Sequence, residues 1–130
     1  MEFSLIHNPP NVHQTVGYAH AARMGDLLFL SGQVAQNEQG QIVGIGDPEA
    51  QVEQIYRNMR AVLEAGGSSL ERIGKMTILT TSMEYLPAIR AVRDRVFAPV
   101  GHVPASTLAI ISSLAHPDYL VEIEVVAAIG

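Results

Sequence analysis

Two carboxylates stand in the most strand-like segment of the chain. Glu122 and Glu124 alternate with the apolar residues Val121, Ile123 and Val125. Alternate residues of a strand point to the same face, so the two carboxylates are expected on one face, about 6.8 Å apart. A carboxylate in a partly apolar cleft can take a proton from water or hold water against an electrophilic carbon, and burial would raise its pKa. The competing interpretation is a solvated polar face, which we favour for Glu124.

Hydroxyl groups and histidines are the other candidates for chemistry. Ser106 and Thr107, in the stretch "PAST", could donate hydrogen bonds to a polar ligand or satisfy the local backbone. The chain has no Gly-x-Ser-x-Gly elbow, so we do not expect a serine nucleophile. The five histidines show no paired ligand spacing, and we therefore predict no metal site.

Composition excludes several classes of function. The net charge is −5, with only 8 Lys plus Arg and no basic run, which disfavours nucleic acid or an anionic membrane as partner. The absence of Cys excludes a disulfide scaffold, a thiol nucleophile and a Cys-ligated zinc. No signal peptide and no membrane-spanning run is apparent, so we expect a cytoplasmic protein.

The elements that must position these residues follow from local patterns. Apolar residues recur at helical spacing from Val52 to Leu63. Asp47 and Pro48 suit the start of a helix, and the Gly66-Gly67 pair suits its end. Together these signals predict a helix over 48–65. A second stripe, carried by Leu86, Ile89, Val92 and Val96, predicts another helix. Strands are predicted at 3–6, within 17–25 and 26–32, and at 75–81, 105–113 and 119–128.

This order, β-β-β-α-β-α-β-β, predicts one α+β domain over residues 1–130, with a mixed sheet and both helices on one face. The other face then needs a partner. Hydrophobic residues make up 48% of the chain and charged residues only 16%, so we expect part of the apolar surface to be buried between subunits.

Three stretches together resemble the RidA/YjgF family of reactive-intermediate (enamine/imine) deaminases, nearly end to end. They read "GYAHAARMGDLLFLSGQVA", "QVEQIYRNMRAVLEAGGSSLERIGKMTILTTSMEYLPAIRAV" and "PASTLAIISSLAHPDYLVEIEVVA". The resemblance implies a chorismate-mutase-like fold assembled as a homotrimer, with small-molecule sites in the clefts between subunits. It also implies hydrolysis of 2-aminoacrylate and related enamines or imines to 2-keto acids and ammonia, without metal or organic cofactor.

The resemblance also implies roles for individual residues. In deaminating members the stretch is Pro-Ala-Arg-Ser, whose Arg binds the substrate carboxylate, and a Glu in the "VEIE" strand holds the attacking water. Glu122 matches that Glu, whereas Ser106 occupies the Arg position. Tyr18, Ser31 and Gly32 match other cleft positions of the family, and Thr107 lies beside Ser106. His20 and Arg90 stand where many members have Gln and Asn, respectively.

The departures from the family pattern leave function open. Ser106 carries no charge and cannot replace a guanidinium fork, so a substrate other than 2-aminoacrylate is expected. Arg90 either lies on a solvated helix face near Asp94 or reaches the cleft and restores the missing charge. His20 either contacts ligand or is a core histidine with satisfied nitrogens. The hypotheses are an enamine/imine deaminase, a non-catalytic trimeric metabolite-binding protein and, disfavoured by charge, a nucleic-acid enzyme.

Overall fold

Six strands and two α-helices follow one another in the predicted order in the computed structural model, which describes residues 1–130. Single 3-10 turns precede β4 and α2. The element boundaries differ from the predicted ones by a few residues, most at β5, which ends at Ile110 rather than at 113. The elements are β1 (Phe3–Ile6), β2 (Ala21–Met24), β3 (Leu27–Leu30), α1 (Pro48–Ala65), β4 (Ile73–Thr80), α2 (Leu86–Phe97), β5 (Ala105–Ile110) and β6 (Val121–Ala128).

The strands form one six-stranded sheet in the order β1-β2-β3-β6-β4-β5. β4 and β5 are parallel, joined by the crossover through α2, and all the other neighbours are antiparallel. The C-terminal strand β6 therefore lies in the middle of the sheet, between β3 and β4. This mixed sheet with two helices confirms the α+β prediction.

Helix α1 begins and ends as its sequence predicts. The Asp47 side chain accepts a hydrogen bond from the backbone N–H of Ala50 at 3.1 Å, and Pro48 occupies the first helical position. Gly67 follows the helix with φ +76°, a conformation that favours glycine. The apolar stripe is fully buried and packs on the sheet.

Both helices cover the same face of the sheet. On β6 the residues Val121, Ile123, Val125 and Ala127 are buried, whereas the residues between them are not. They join the buried residues of α1 and α2 in one hydrophobic cluster of 22 residues. α1 packs on α2, with the rings of Tyr56 and Phe97 edge to face at a centroid distance of 6.0 Å.

Neither helix covers the opposite face of the sheet, which we call the open face. Cross-strand register places Phe3, Met24 and Leu27 in one row on this face. Phe29 lies in the next row, paired with Val126 of β6. Phe3 is 65% exposed and Leu27 is 44% exposed, so the face presents apolar side chains to solvent.

No helix has the length and apolar character needed to cross a membrane.

Candidate functional site

The candidate site is centred on Glu122, in the middle of β6. Its backbone neighbours Val121 and Ile123 are fully buried toward the helices, so strand alternation directs the Glu122 side chain to the open face. There it lies opposite Leu79 of β4 and is half-buried. Glu124, two residues further, points to the same face but is exposed, as a solvated residue would be.

The Glu122 carboxylate packs directly against Gly32, which follows β3. A Cβ built on Gly32 would lie 2.5 Å from Glu122 Oε2 and 2.7 Å from its Cδ, so any larger residue would displace the carboxylate. Phe29 pairs with Val126, and Gln33 pairs with Ile123. Between these two pairs the β3 side contains one more residue than β6. This bulge-like insertion brings Gly32 up to the carboxylate.

Ser31 ties this insertion to the preceding loop. Its hydroxyl donates a hydrogen bond to the carbonyl of Ala19 at 2.7 Å, and its backbone N–H donates to the carbonyl of His20 at 3.0 Å. The loop that carries Tyr18 is thereby fixed beside Gly32. Tyr18 itself is 51% exposed. The structure thus brings together four of the predicted residues, Tyr18, Ser31, Gly32 and Glu122.

Burial is the main electrostatic influence on Glu122. It raises the pKa of the Glu122 carboxyl above the ordinary value of 4.5, and the negative charge of Glu124 raises it further. The open face supplies no ion pair that would offset this. A carboxylate with a raised pKa is a better proton acceptor than an exposed one, and it can orient a water molecule.

Tyr119 lies near the candidate site, and the sequence analysis did not single it out. It is buried, and burial together with the nearby Tyr18 raises the pKa of its phenol. The Glu122 carboxylate raises this pKa further. No local pattern marks Tyr119, because it follows a turn, "HPD", and its position depends on contacts distant in sequence.

His20 is placed in the core, where its exposed fraction is 1%. Its Nδ1 accepts a hydrogen bond from the Asn8 backbone N–H at 3.0 Å, which leaves Nε2 to donate to the His13 carbonyl at 2.8 Å. Both nitrogens are therefore used by the main chain of residues 8–13. This arrangement supports the alternative that His20 is structural and holds the loop before β2.

Ser106 and Thr107 lie on opposite faces of β5. Thr107 is opposite Thr77 and points to the open face, where its Oγ1 accepts a hydrogen bond from Lys75 Nζ at 2.6 Å. Ser106 is opposite Met76, whose side chain is buried, and it points toward α2. Ser106 and Glu122 therefore lie on different faces of the sheet and do not form a single pocket.

Arg93, rather than Arg90, is the arginine beside Ser106. Arg90 is exposed, forms no ion pair and does not line the cavity next to Ser106. Arg93 lines that cavity together with Asp94, to which it is hydrogen-bonded. Arg93 follows Arg90 by three positions, which rotates it about 60° around α2. The predicted Asp94 pair is therefore made by Arg93.

Fold and site together define a class: a small α+β domain that holds a half-buried carboxylate against a glycine-containing bulge in its sheet. The family described as Endoribonuclease L-PSP matches residues 9–129. The chain belongs to this family, which confirms the RidA/YjgF resemblance.

Named relatives cover most of the chain. A RutC family protein from Pyrococcus horikoshii is 32% identical over 119 residues, which are 90% of this chain and 91% of that protein. A 2-iminobutanoate/2-iminopropanoate deaminase from Dermatophagoides farinae is 30% identical over 93 residues, 71% of this chain and 73% of that protein. A solved structure of a Rid family protein of unknown function, YyfA from Yersinia pestis, is 30% identical with a TM-score of 0.90, over 98% of this chain and 100% of that one.

Proposed function

We propose that this chain forms homotrimers and hydrolyses a small enamine or imine to a carbonyl compound and ammonia at clefts between its subunits. The observation that carries the proposal is the half-buried Glu122 carboxylate, with its raised pKa, held against Gly32. In an imine, water adds to the carbon of the C=N bond, nitrogen takes up protons and ammonia leaves. Glu122 would orient the water and take its proton. The reaction as proposed needs no metal or organic cofactor.

The deaminase name of the Dermatophagoides farinae relative supports this reaction class. A sequence identity of 30% does not imply that the two proteins act on the same substrate. We infer a substrate other than 2-aminoacrylate, because Ser106 offers a neutral hydroxyl where the deaminating members have a guanidinium. Tyr18, Ser31 and Thr107 would line the cleft, with Tyr119 as a further member.

Assembly between subunits would complete the site. Ser106 and Glu122 lie on different faces of one sheet, so a ligand that touches both must sit between two copies of the chain. The apolar open face, which includes Leu27 and Phe29, offers the surface for such an assembly.

The test is a coupled assay with 2-aminoacrylate generated in situ and with imines derived from alanine, leucine and an aromatic amine. Ammonia or keto-acid release is followed for the wild type, Glu122→Ala and Glu124→Ala. We expect Glu122→Ala to lose at least about a hundredfold in rate while Glu124→Ala, two residues away and exposed, retains turnover. Full activity of Glu122→Ala would show that another group holds the water.

A non-catalytic metabolite-binding trimer is the second candidate, and the loss of the Arg at position 106 favours it. It predicts saturable ligand binding without turnover by the wild type, and it predicts that Ser106→Arg gains turnover on amino-acid imines. The family description names an endoribonuclease. We do not propose RNA cleavage for this chain, because its net charge is −5 and it has only 8 Lys plus Arg.

A further inference from the structure

A cavity of about 380 Å³ lies between the beginning of β5 and helix α2, on the side of the sheet away from Glu122. Its only charged side chains belong to Arg93 and Asp94, and Ser106 stands at its strand side. The full lining comprises Met76, Arg93, Asp94, Val103, Pro104 and Ser106.

The contacts around this cavity connect Ser106 with the charged pair. Ser106 is the register partner of Met76, and Met76 Sδ accepts a hydrogen bond from the Tyr56 hydroxyl at 3.8 Å. Burial raises the pKa of Tyr56, while Arg93 lowers it and Asp94 raises it. The Arg93–Asp94 pair and Ser106 therefore line one cavity, together with the buried side chain of Met76.

The hydrogen bonds of the Arg93 guanidinium suit it to exchange the Asp94 carboxylate for a ligand carboxylate. Its Nε and Nη2 both donate to one oxygen, Oδ1 of Asp94, at 3.0 and 2.9 Å, and its Nη1 makes no hydrogen bond. The Asp94 side chain is 67% exposed and that of Arg93 is 32% exposed. A solvated ion pair of this kind contributes little to stability, so a ligand carboxylate can displace Asp94 at small cost. The planar guanidinium would then bind that carboxylate through two hydrogen bonds.

We propose that Arg93 is the carboxylate-binding residue of this chain and that Asp94 is a resident counter-ion which the ligand displaces. This inference rests on the proposed function in placing Ser106 in the ligand cleft. The ligand is an oxo or imino acid other than the imine of 2-aminoacrylate. Its carboxylate is held from α2 instead of from β5, with the Ser106 hydroxyl available for one further hydrogen bond. A carboxylate held from this direction orients its ligand differently from a carboxylate held by an Arg at position 106.

The test measures binding of pyruvate, and of its uncharged methyl ester, to the full-length protein by NMR titration. Arg93→Gln should weaken pyruvate binding about tenfold or more, because a charge-assisted pair is lost, and should leave the ester unaffected. Asp94→Asn should tighten pyruvate binding by up to about fivefold, since the competing carboxylate is removed. Arg57→Gln, which removes an exposed charge from α1, should change the affinity less than about twofold.

Arg90→Gln decides between the two arginines of α2 and should behave like Arg57→Gln. The inference is overturned if Arg93→Gln binds pyruvate as the wild type does, if Arg90→Gln alone loses binding, or if the wild type binds neither probe. Thermal unfolding of each variant separates loss of binding from loss of fold.

Turnover is measured separately. Binding that depends on Arg93 without turnover defeats the deaminase proposal alone, whereas turnover that is unchanged in Arg93→Gln defeats this inference alone.

Discussion

The carboxylate of Glu122 occupies the space that a side chain on Gly32 would fill, with Oε2 only 2.5 Å from the position of a Cβ built there. Glu122 comes from the central strand β6, and Gly32 from the bulge that follows β3. Because the two residues are held by different strands, the position of the carboxylate depends on the register between those strands.

Gly32→Ala is therefore expected to displace the carboxylate without unfolding the protein. The atoms that must move are the end of a flexible side chain, so the free energy of unfolding should fall by no more than about 1 kcal/mol. Turnover or ligand binding should fall at least about tenfold, since catalytic groups tolerate little misplacement. Gly74→Ala is the matched control, because its nearest contact, Val126 O, is 3.9 Å away. If Gly32→Ala were as active as Gly74→Ala, the functional importance of the contact between Gly32 and Glu122 would be contradicted.

Glu122→Gln should change how stability depends on pH. The folded-state pKa of Glu122 is raised above the ordinary value of 4.5, so folding favours the protonated carboxyl. The stability that this provides is fully present below the unfolded pKa and is lost as pH rises through the folded pKa. The Gln variant does not ionise. Its Tm should therefore match that of the wild type near pH 3.5 and exceed it at pH 8.

The comparison requires thermal unfolding of both proteins across this range, with Glu38→Gln as a control carboxylate on an exposed loop. Glu38→Gln measures how much the replacement of an exposed carboxylate by an amide changes the Tm by itself. A constant difference for Glu122→Gln would mean that burial does not disfavour its charge.

His20→Leu should destabilise the fold by about 2–4 kcal/mol, because it leaves the Asn8 N–H and the His13 carbonyl without their buried partner. Urea unfolding measures the change, and His7→Gln, at an exposed position, should have little effect. If His20→Leu kept full stability but lost ligand binding, the role of His20 in ligand contact would be restored.

Phe29→Glu should break the proposed trimer, because Phe29 lies on the open face between Ala22 and Val126 and a buried unpaired carboxylate is costly. Light scattering should show three copies of the 14.0 kDa chain for the wild type and a smaller species for the variant. Ile45→Glu is a control for added charge, since Ile45 is 66% exposed in the loop before α1. A wild type that runs as a monomer would contradict the assembly outright.

Much of the secondary structure was predictable because its signals are local. The apolar stripe of α1 and the cap at Asp47 depend on residues three or four positions apart, and the alternation in β6 depends on neighbours. The same alternation indicates that Glu122 and Glu124 share a face. It does not tell which of them is half-buried, since that depends on the bulge at Gly32.

The sequence alone therefore determined the order of the elements, the α+β class and, through the alternation in β6, the shared face of Glu122 and Glu124. Tertiary structure decided which side chains meet. The parallel register of β5 on β4 directs Ser106 toward α2, and the packing of α2 brings Arg93, not Arg90, to the same cavity. Tyr119 is also placed by long-range contacts, because the Gln51 side chain hydrogen-bonds the backbone of Asp118 and Leu120 on either side of it. Such contacts depend on packing between elements distant in the chain, which local periodicity does not encode.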